Sequence, residues 1–205
     1  MDEDFAFFIK RFGPETSRQH VPVSSMIRYR NKLPGQLLRY WEEYGWCGYA
    51  DGLFWTVNPQ DYEHILTEWL ADADVCKQDV CHVIARGAFG ELYVWGEKSG
   101  ECLTITPCMS RYSHHSPVFT GEEMDFAVRV FFSSMKREYN DFEGLFDPAL
   151  SKLGKLKAGE MYALVPALAL GGSIDLKNLE KVEIIEHLEF LSQLSPLTDW
   201  GFPEI

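Results

Sequence analysis

Hydrophobic residues recur at intervals of three and four along much of the chain, which is the spacing of helices that bury one face. The first such segment extends from Phe5 to Phe12 and ends at Gly13-Pro14, and the polar residues Glu15 to His20 predict a loop after it. A second helix is predicted from Pro34, a residue favoured in a first helical turn, to a stop at Gly45. The chain is therefore predicted to open with two helices.

Two aromatic-rich runs flank Asp51-Gly52, and this pair predicts a β-hairpin because both turn positions require positive φ. Asn58-Pro59 then predicts a helix start, with asparagine as the N-cap and proline at the first helical position. Its inward face carries Tyr62 and Trp69. The polar stretch Ala71 to Asp79 is either a linker between two domains or a surface loop within one.

Short β-rich runs follow on both sides of Gly87 and Gly90, and a third run covers residues 101–107. Tight glycine turns between short strands predict an antiparallel meander. The mostly polar residues Cys108 to Val118 predict a loop. Thr120 followed by Glu123 is a capping-box pattern, which predicts that a long helix begins there.

The last part of the chain is predicted to contain a helix, a strand and a second helix. Asp147-Pro148 predicts a short helix, Met161 to Val165 a buried strand, and Gly171-Gly172 a turn. Helical spacing returns from Asp175 to Leu194 and predicts a final helix. Together these elements predict an α+β fold: an antiparallel β-sheet or meander with flanking helices, in two packed subdomains, residues 1–75 and 76–205.

The formal net charge of the 205-residue chain is −12, and this excludes some classes of partner. A field of that sign repels nucleic acid phosphates and anionic lipids, and it speeds encounter with a basic protein. We therefore expect no direct nucleic acid binding, no membrane contact and a basic protein partner.

The start Met1-Asp2-Glu3-Asp4 does not resemble a signal peptide, and no apolar run approaches the roughly 20 residues of a membrane span. The five cysteines are odd in number, which favours reduced thiols over a disulfide framework. These features predict a cytoplasmic protein.

Cysteines and histidines of the second half are the candidate metal ligands: Cys76, Cys81, His82, Cys102, Cys108, His114 and His115. They include no C-x-x-C or H-x-x-x-H element that would place two ligands together, and neighbours on a strand such as Cys81 and His82 point apart. Free thiols are therefore favoured over zinc, and we expect no metal and no cofactor. No nucleophile motif or phosphate-binding glycine pattern is present either, which predicts that the protein is not an enzyme.

Several long phrases of the sequence resemble known protein families. LPGQLLRYWEEYGWCGYADGLFWTVNPQDY resembles the GAD-like domain. ARGAFGELYVWG, LKAGEMYALVPALALGG and EHLEFLSQL resemble the C-terminal domain of Tdi-type immunity proteins. The resemblance covers most of the chain and implies the immunity half of a bacterial type VI secretion effector and immunity pair.

The resemblance implies a non-enzymatic inhibitor that binds a type VI secretion nuclease toxin, typically a DNase, in bacterial competition. It carries no catalytic residues. Since a nuclease presents a basic cleft to DNA, the acidity of this chain fits occlusion of that cleft. A scaffolding or regulatory binding module unrelated to toxins is the alternative. The oligomeric state stays open.

Exposed loops are the predicted places of contact with the toxin. They are the first hairpin, the tip of the second hairpin and the following loop, with seven candidate residues: Asp51, Glu97, Glu101, Arg111, Tyr112, His114 and His115.

Overall fold

The computed structural model describes residues 2–71, 73, 75–116 and 118–201, and these ranges form an α+β fold. The helices are α1 (Glu3–Phe12), α2 (Val23–Tyr29), α3 (Gly35–Tyr44), α4 (Glu63–Leu70), α5 (Met124–Ser134), α6 (Phe146–Leu153) and α7 (Ile184–Ser192). The strands are β1 (Thr16–Gln19), β2 (Trp46–Tyr49), β3 (Phe54–Thr56), β4 (Cys81–Gly87), β5 (Leu92–Gly96), β6 (Gly100–Thr106), β7 (Arg111–His114), β8 (Glu160–Leu164), β9 (Leu179–Glu183) and β10 (Thr198–Asp199). Within the described ranges, no helix is long and apolar enough to cross a membrane.

One large sheet and one small sheet organise the fold, as the predicted fold class requires. The large sheet has eight strands in the order β1-β2-β3-β4-β5-β6-β7-β10. Consecutive strands from β1 to β7 pair antiparallel, so the meander is confirmed, and β10 adds a short parallel strand beside β7. The small sheet is the antiparallel pair β8 and β9. Because β3 pairs with β4, one sheet contains strands from before and after residues 71–79. The domain boundary at residue 75 stays a prediction.

Two local signals in the first half, at Asp51-Gly52 and Asn58-Pro59, predicted their elements correctly. Asp51 and Gly52 both have positive φ, 58° and 96°. The hairpin loop is longer than two residues, because the last pair before it joins Tyr49 to Phe54. The Asn58 side chain accepts a hydrogen bond from the backbone N–H of Gln60 at 3.3 Å, so the predicted N-cap is present.

Three predicted elements are wrong, and in each case long-range pairing explains the difference. The predicted loop Glu15 to His20 contains β1, whose backbone pairs with β2. The predicted loop Cys108 to Val118 contains β7, which β6 and β10 hold from either side. The predicted helix from Asp175 begins only at Ile184, since residues 179–183 pair with β8 as β9.

The large sheet has helices on both faces. Phe54 of β3 packs against Phe8 of α1 at 5.6 Å between ring centroids and against Phe132 of α5 at 6.4 Å. Trp55, the next residue, faces the other side, toward Arg86 of β4. The helix α5 was expected to carry a Thr120 capping box, but the Thr120 side chain makes no cap hydrogen bond.

A buried arginine joins the two sheets. Arg86 is fully buried, and its guanidinium donates hydrogen bonds to the carbonyl oxygens of Gly87 at 3.1 Å, Ala158 at 2.9 Å and Glu160 at 3.0 Å. It also lies over the Trp55 ring, 4.8 Å from the centroid. Since Ala158 and Glu160 lead into β8, these bonds fix the small sheet against the large one.

Candidate functional site

A groove of about 1310 Å³ lies between α5, the strands β6 and β7, and the segment before β4. We call it the β7 groove. Its lining includes Val75 to Asp79, the turn residues Lys98 and Ser99, the strand residues Glu101 and Cys102, Tyr112 to Ser116, Val118 to Thr120, Ala127 and Val130 of α5, and Asp199. Four of the seven predicted contact residues therefore share one surface: Glu101, Tyr112, His114 and His115.

Asp79 builds one wall of the β7 groove. Its carboxylate accepts hydrogen bonds from the backbone N–H groups of Lys98 and Ser99 at 3.0 Å and 2.8 Å, and from the Ser99 hydroxyl at 2.7 Å. These bonds lower the pKa of Asp79, although partial burial opposes them. A Cβ on Gly96 would lie 2.3 Å from this carboxylate, so only glycine allows the approach. The Asp79 carboxylate therefore stabilises the β5–β6 turn.

Glu101 is the carboxylate of the β7 groove whose pKa is shifted by burial alone. It lies half-buried on β6 opposite Trp95, and burial raises its pKa from 4.5 to about 7. Within the described residues, its carboxylate makes no hydrogen bond and no ion pair. A carboxylate in this state is poorly solvated, and a lysine or arginine from another protein would stabilise its charge.

Residues from the end of β7 form the opposite wall. His115 Nε2 lies 3.0 Å from the Thr104 hydroxyl, which fixes the ring against β6. Burial lowers the pKa of His115, and neighbouring His114 lowers it further, so His115 is held neutral. His114 is exposed and Tyr112 half-buried. This wall exposes the His114 imidazole to solvent.

Three predicted contact residues do not line the β7 groove. Arg111 begins β7, and its guanidinium donates to the Asp199 carbonyl oxygen at 2.9 Å. Glu97 lies at the β5–β6 turn with a carboxylate oxygen 2.9 Å from His82 Nε2. Asp51 lies in the first hairpin loop and forms an ion pair with Lys155 at 2.7 Å. These side chains have partners within the chain, and their role in binding stays a prediction.

The sequence prediction missed the apolar part of the β7 groove. Val118 is 79% exposed, and Phe119 beside it makes an edge-to-face contact with Phe126, 4.9 Å between centroids. Val75 and Val130 lie in the same lining. Exposed apolar side chains in a groove that also contains carboxylates are typical of surfaces that bind proteins, and the polar composition around residues 108–118 concealed this one.

Three cysteines from separate segments also meet at the β7 groove. Cys102 Sγ lies 3.8 Å from both Cys76 Sγ and Cys81 Sγ, and the three sulfur atoms lie within 4.8 Å of one another. Hydrogen bonds from Cys102 and then Cys81 lower the pKa of the Cys76 thiol, since they favour its thiolate. As predicted, Cys81 and His82 point apart, because His82 faces Glu97 and Tyr29.

The chain matches the models of two protein families. Residues 3–109, more than half of it, match the model of the GAD-like domain. The chain belongs to the GAD-like domain family. Residues 125–195 match a second model, the C-terminal domain of the T6SS immunity protein Tdi1. The GAD-like match extends through β6, and the Tdi1 match begins in α5, so elements from both matches form the β7 groove. These matches support a role as a T6SS immunity protein.

Solved structures support the fold. The chain is similar to the structure described as "Crystal structure of Atu4351 from Agrobacterium tumefaciens", with a TM-score of 0.86 and 23% sequence identity over 97% of this chain and 94% of that one. At that identity the likeness establishes the fold alone. A comparison with curated proteins found no significant match.

Proposed function

We propose that this chain neutralises a cognate type VI secretion toxin by binding it through the β7 groove, without any enzymatic step. The match of residues 125–195 to a T6SS immunity domain carries the proposal. We further propose that the toxin is a basic nuclease that cuts DNA, that this chain meets it in the cytoplasm, and that binding covers its DNA-binding or active-site cleft.

Charge supports a basic partner. The net charge of −12 gives the chain a long-range field that attracts cations and repels nucleic acid. A nuclease must hold the phosphate backbone in a cationic cleft, so its field is complementary to this one. Complementary fields raise the rate of association, which suits an inhibitor that must act before DNA is cut.

The β7 groove supports a specific contact as well as a general attraction. The lining of the groove contains both acidic residues (Asp79, Glu101, Asp199) and basic residues (Lys77, Lys98), so long-range steering comes from the charge of the whole chain. Within it, Glu101 offers an unpaired carboxylate and Val118 an exposed apolar side chain. A cationic side chain of the toxin would pair with Glu101, and an apolar one would cover Val118. Charge specifies the partner, and apolar burial adds affinity.

Inhibition in a purified system tests the proposal. The product of the reading frame adjacent to this gene is expressed with this chain, the complex is purified, and the toxin is recovered from it under denaturing conditions and refolded. We expect the toxin to degrade DNA alone and to lose this activity when one equivalent of this chain is added. Unchanged degradation in excess of this chain would overturn the proposal.

Paired variants test the groove itself. Glu101→Lys should slow association strongly at low salt and weakly at high salt, because it reverses a charge at the proposed contact. Glu186→Lys is the control, since it makes the same change at an exposed position of α7 outside the groove. Equal rates for the two variants at low salt would place the contact elsewhere on the chain.

A further inference from the structure

We propose that Cys76, Cys81 and Cys102 form a three-thiolate binding site for zinc at the edge of the β7 groove. The proposal rests on the spacing of three sulfur atoms that the fold brings together, and it is independent of the toxin. It departs from the expectation drawn from the sequence, in which these residues were unconnected free thiols.

The sulfur spacing is that of a tetrahedral zinc site. Zinc binds thiolate sulfur at about 2.3 Å with tetrahedral angles, so two sulfur ligands of one ion lie about 3.8 Å apart. Cys102 Sγ is 3.8 Å from Cys76 Sγ and 3.8 Å from Cys81 Sγ. The third pair lies within 4.8 Å. An ion can therefore bind with side-chain adjustments of less than about 1 Å.

Two of the three cysteines lie on strands of the large sheet, and the third lies in the segment before β4. Cys81 opens β4 and Cys102 lies in β6, and both strands pair with β5 between them. Cys76 lies in the segment before β4 with φ of 60°, a conformation that costs energy for a residue with a side chain. A bound ion would offset that cost and attach the segment to the sheet.

The other two cysteines of the chain, Cys47 and Cys108, lie outside the cluster and serve as a comparison. Cys47 is buried, with its Sγ 3.8 Å from the Thr56 hydroxyl, and burial raises its pKa. Cys108 lines a separate apolar cavity, and burial raises its pKa as well. Chance burial of thiols accounts for these two, whereas the other three sulfur atoms lie within 4.8 Å of one another.

The β7 groove would give solvent access to the fourth ligand position, because two of the three cysteines line it. Cys76 and Cys102 both line the β7 groove, and His114 belongs to the same lining. Water or the His114 imidazole would complete the tetrahedron, as occurs in sites with three protein ligands. Each thiol that coordinates the ion releases its proton to solvent, so binding weakens as pH falls.

Zinc content and thermal stability test the proposal on the whole chain. Protein purified in reducing buffer without chelator should contain about one zinc ion per molecule, and Co²⁺ in its place should give thiolate-to-cobalt charge-transfer absorption. Cys76→Ser and Cys102→Ser should each weaken zinc binding by at least about 100-fold. Cys47→Ser is the control and should bind zinc as the wild type does.

The melting temperature distinguishes loss of the site from loss of the fold. Zinc should raise the melting temperature of the wild type and of Cys47→Ser, and should leave that of Cys76→Ser unchanged. Cys76 is preferred for this comparison because it lies half-buried outside the strands. Wild-type protein that binds no zinc under these conditions, that binds it equally after Cys76→Ser, or that instead forms a disulfide within the cluster would overturn the proposal.

Discussion

Replacing Glu101 with glutamine tests whether the β7 groove receives a cationic side chain. The substitution keeps the size and most of the shape of the side chain and removes its negative charge. In the free protein, burial raises the pKa of Glu101 to about 7, so the carboxylate is half protonated near neutral pH. A lysine or arginine of the toxin beside it would bring the pKa back toward 4.5 or below.

The magnitude follows from linkage between protonation and binding. With a pKa of about 7, about one tenth of the free protein carries an ionised Glu101 at pH 6 and about nine tenths at pH 8. If the complex requires the ionised form, affinity for the toxin rises about tenfold between pH 6 and pH 8. The sign is fixed because binding releases a proton, so a higher pH favours the complex.

Isothermal titration calorimetry across this pH range measures the effect directly. Histidines of both proteins also titrate near neutral pH, so the quantity of interest is the difference between wild type and Glu101→Gln. The variant should bind more weakly at pH 8, and its pH dependence should be smaller by about tenfold over the range. Glu186→Gln removes a charge outside the β7 groove and should keep the wild-type dependence. Identical pH profiles for wild type and Glu101→Gln would refute the reasoning.

Two further predictions concern the stability of the free protein. Arg86→Met should lower the free energy of unfolding by about 3 kcal/mol, because the carbonyl oxygens of Gly87, Ala158 and Glu160 lose their donor. Chemical denaturation measures this, and Arg39→Met, at an exposed ion pair, should change stability by less than about 1 kcal/mol. An equally small change for Arg86→Met would show that the bonds to β8 contribute little. Glu91 is fully buried, and burial raises its pKa from 4.5 to about 7, so its contribution to stability is present at low pH and is lost as pH rises through about 7. Between pH 5 and pH 8 the wild type should lose about 2 kcal/mol more than Glu91→Gln, and parallel pH profiles of the two proteins would contradict this assignment.

Elements with strong local signals could be predicted from the sequence. The hairpin at Asp51-Gly52 and the helix start at Asn58-Pro59 both form, because the turn and the N-cap depend on residues only a few positions apart. The meander β4 to β6 also forms as predicted, since its turns contain glycine and its strands are adjacent in sequence.

Elements that depend on partners far away in the chain could not be predicted from the sequence. The strand β7 is short and polar, and its second neighbour is β10, which follows far along the chain. The strand β9 contains Leu179 and Val182 at a spacing that also suits a helix, and only its pairing with β8 decides between the two. Local periodicity carries no information about such pairing.

The candidate site, too, could be predicted only in part from the sequence. Tyr112, His114 and His115 were predicted as loop residues, and they line the β7 groove because β7 contains the first two and ends directly before the third. The cysteine cluster had no sequence signal, because its members have no short motif spacing and meet only when β6 lies near β4. Charge and resemblance indicated a basic partner, and the fold supplies a surface on which to look for it.

The affinity of the cognate toxin for duplex DNA, measured with and without this chain, tests the central claim most directly. A catalytically inactive toxin variant is titrated with labelled duplex alone and as the purified complex, at fixed ionic strength. Occlusion of the DNA-binding cleft predicts that the complex binds DNA far more weakly than the free toxin, and that Glu101→Lys restores DNA binding by releasing the toxin. A complex that binds duplex with the affinity of the free toxin would contradict the account.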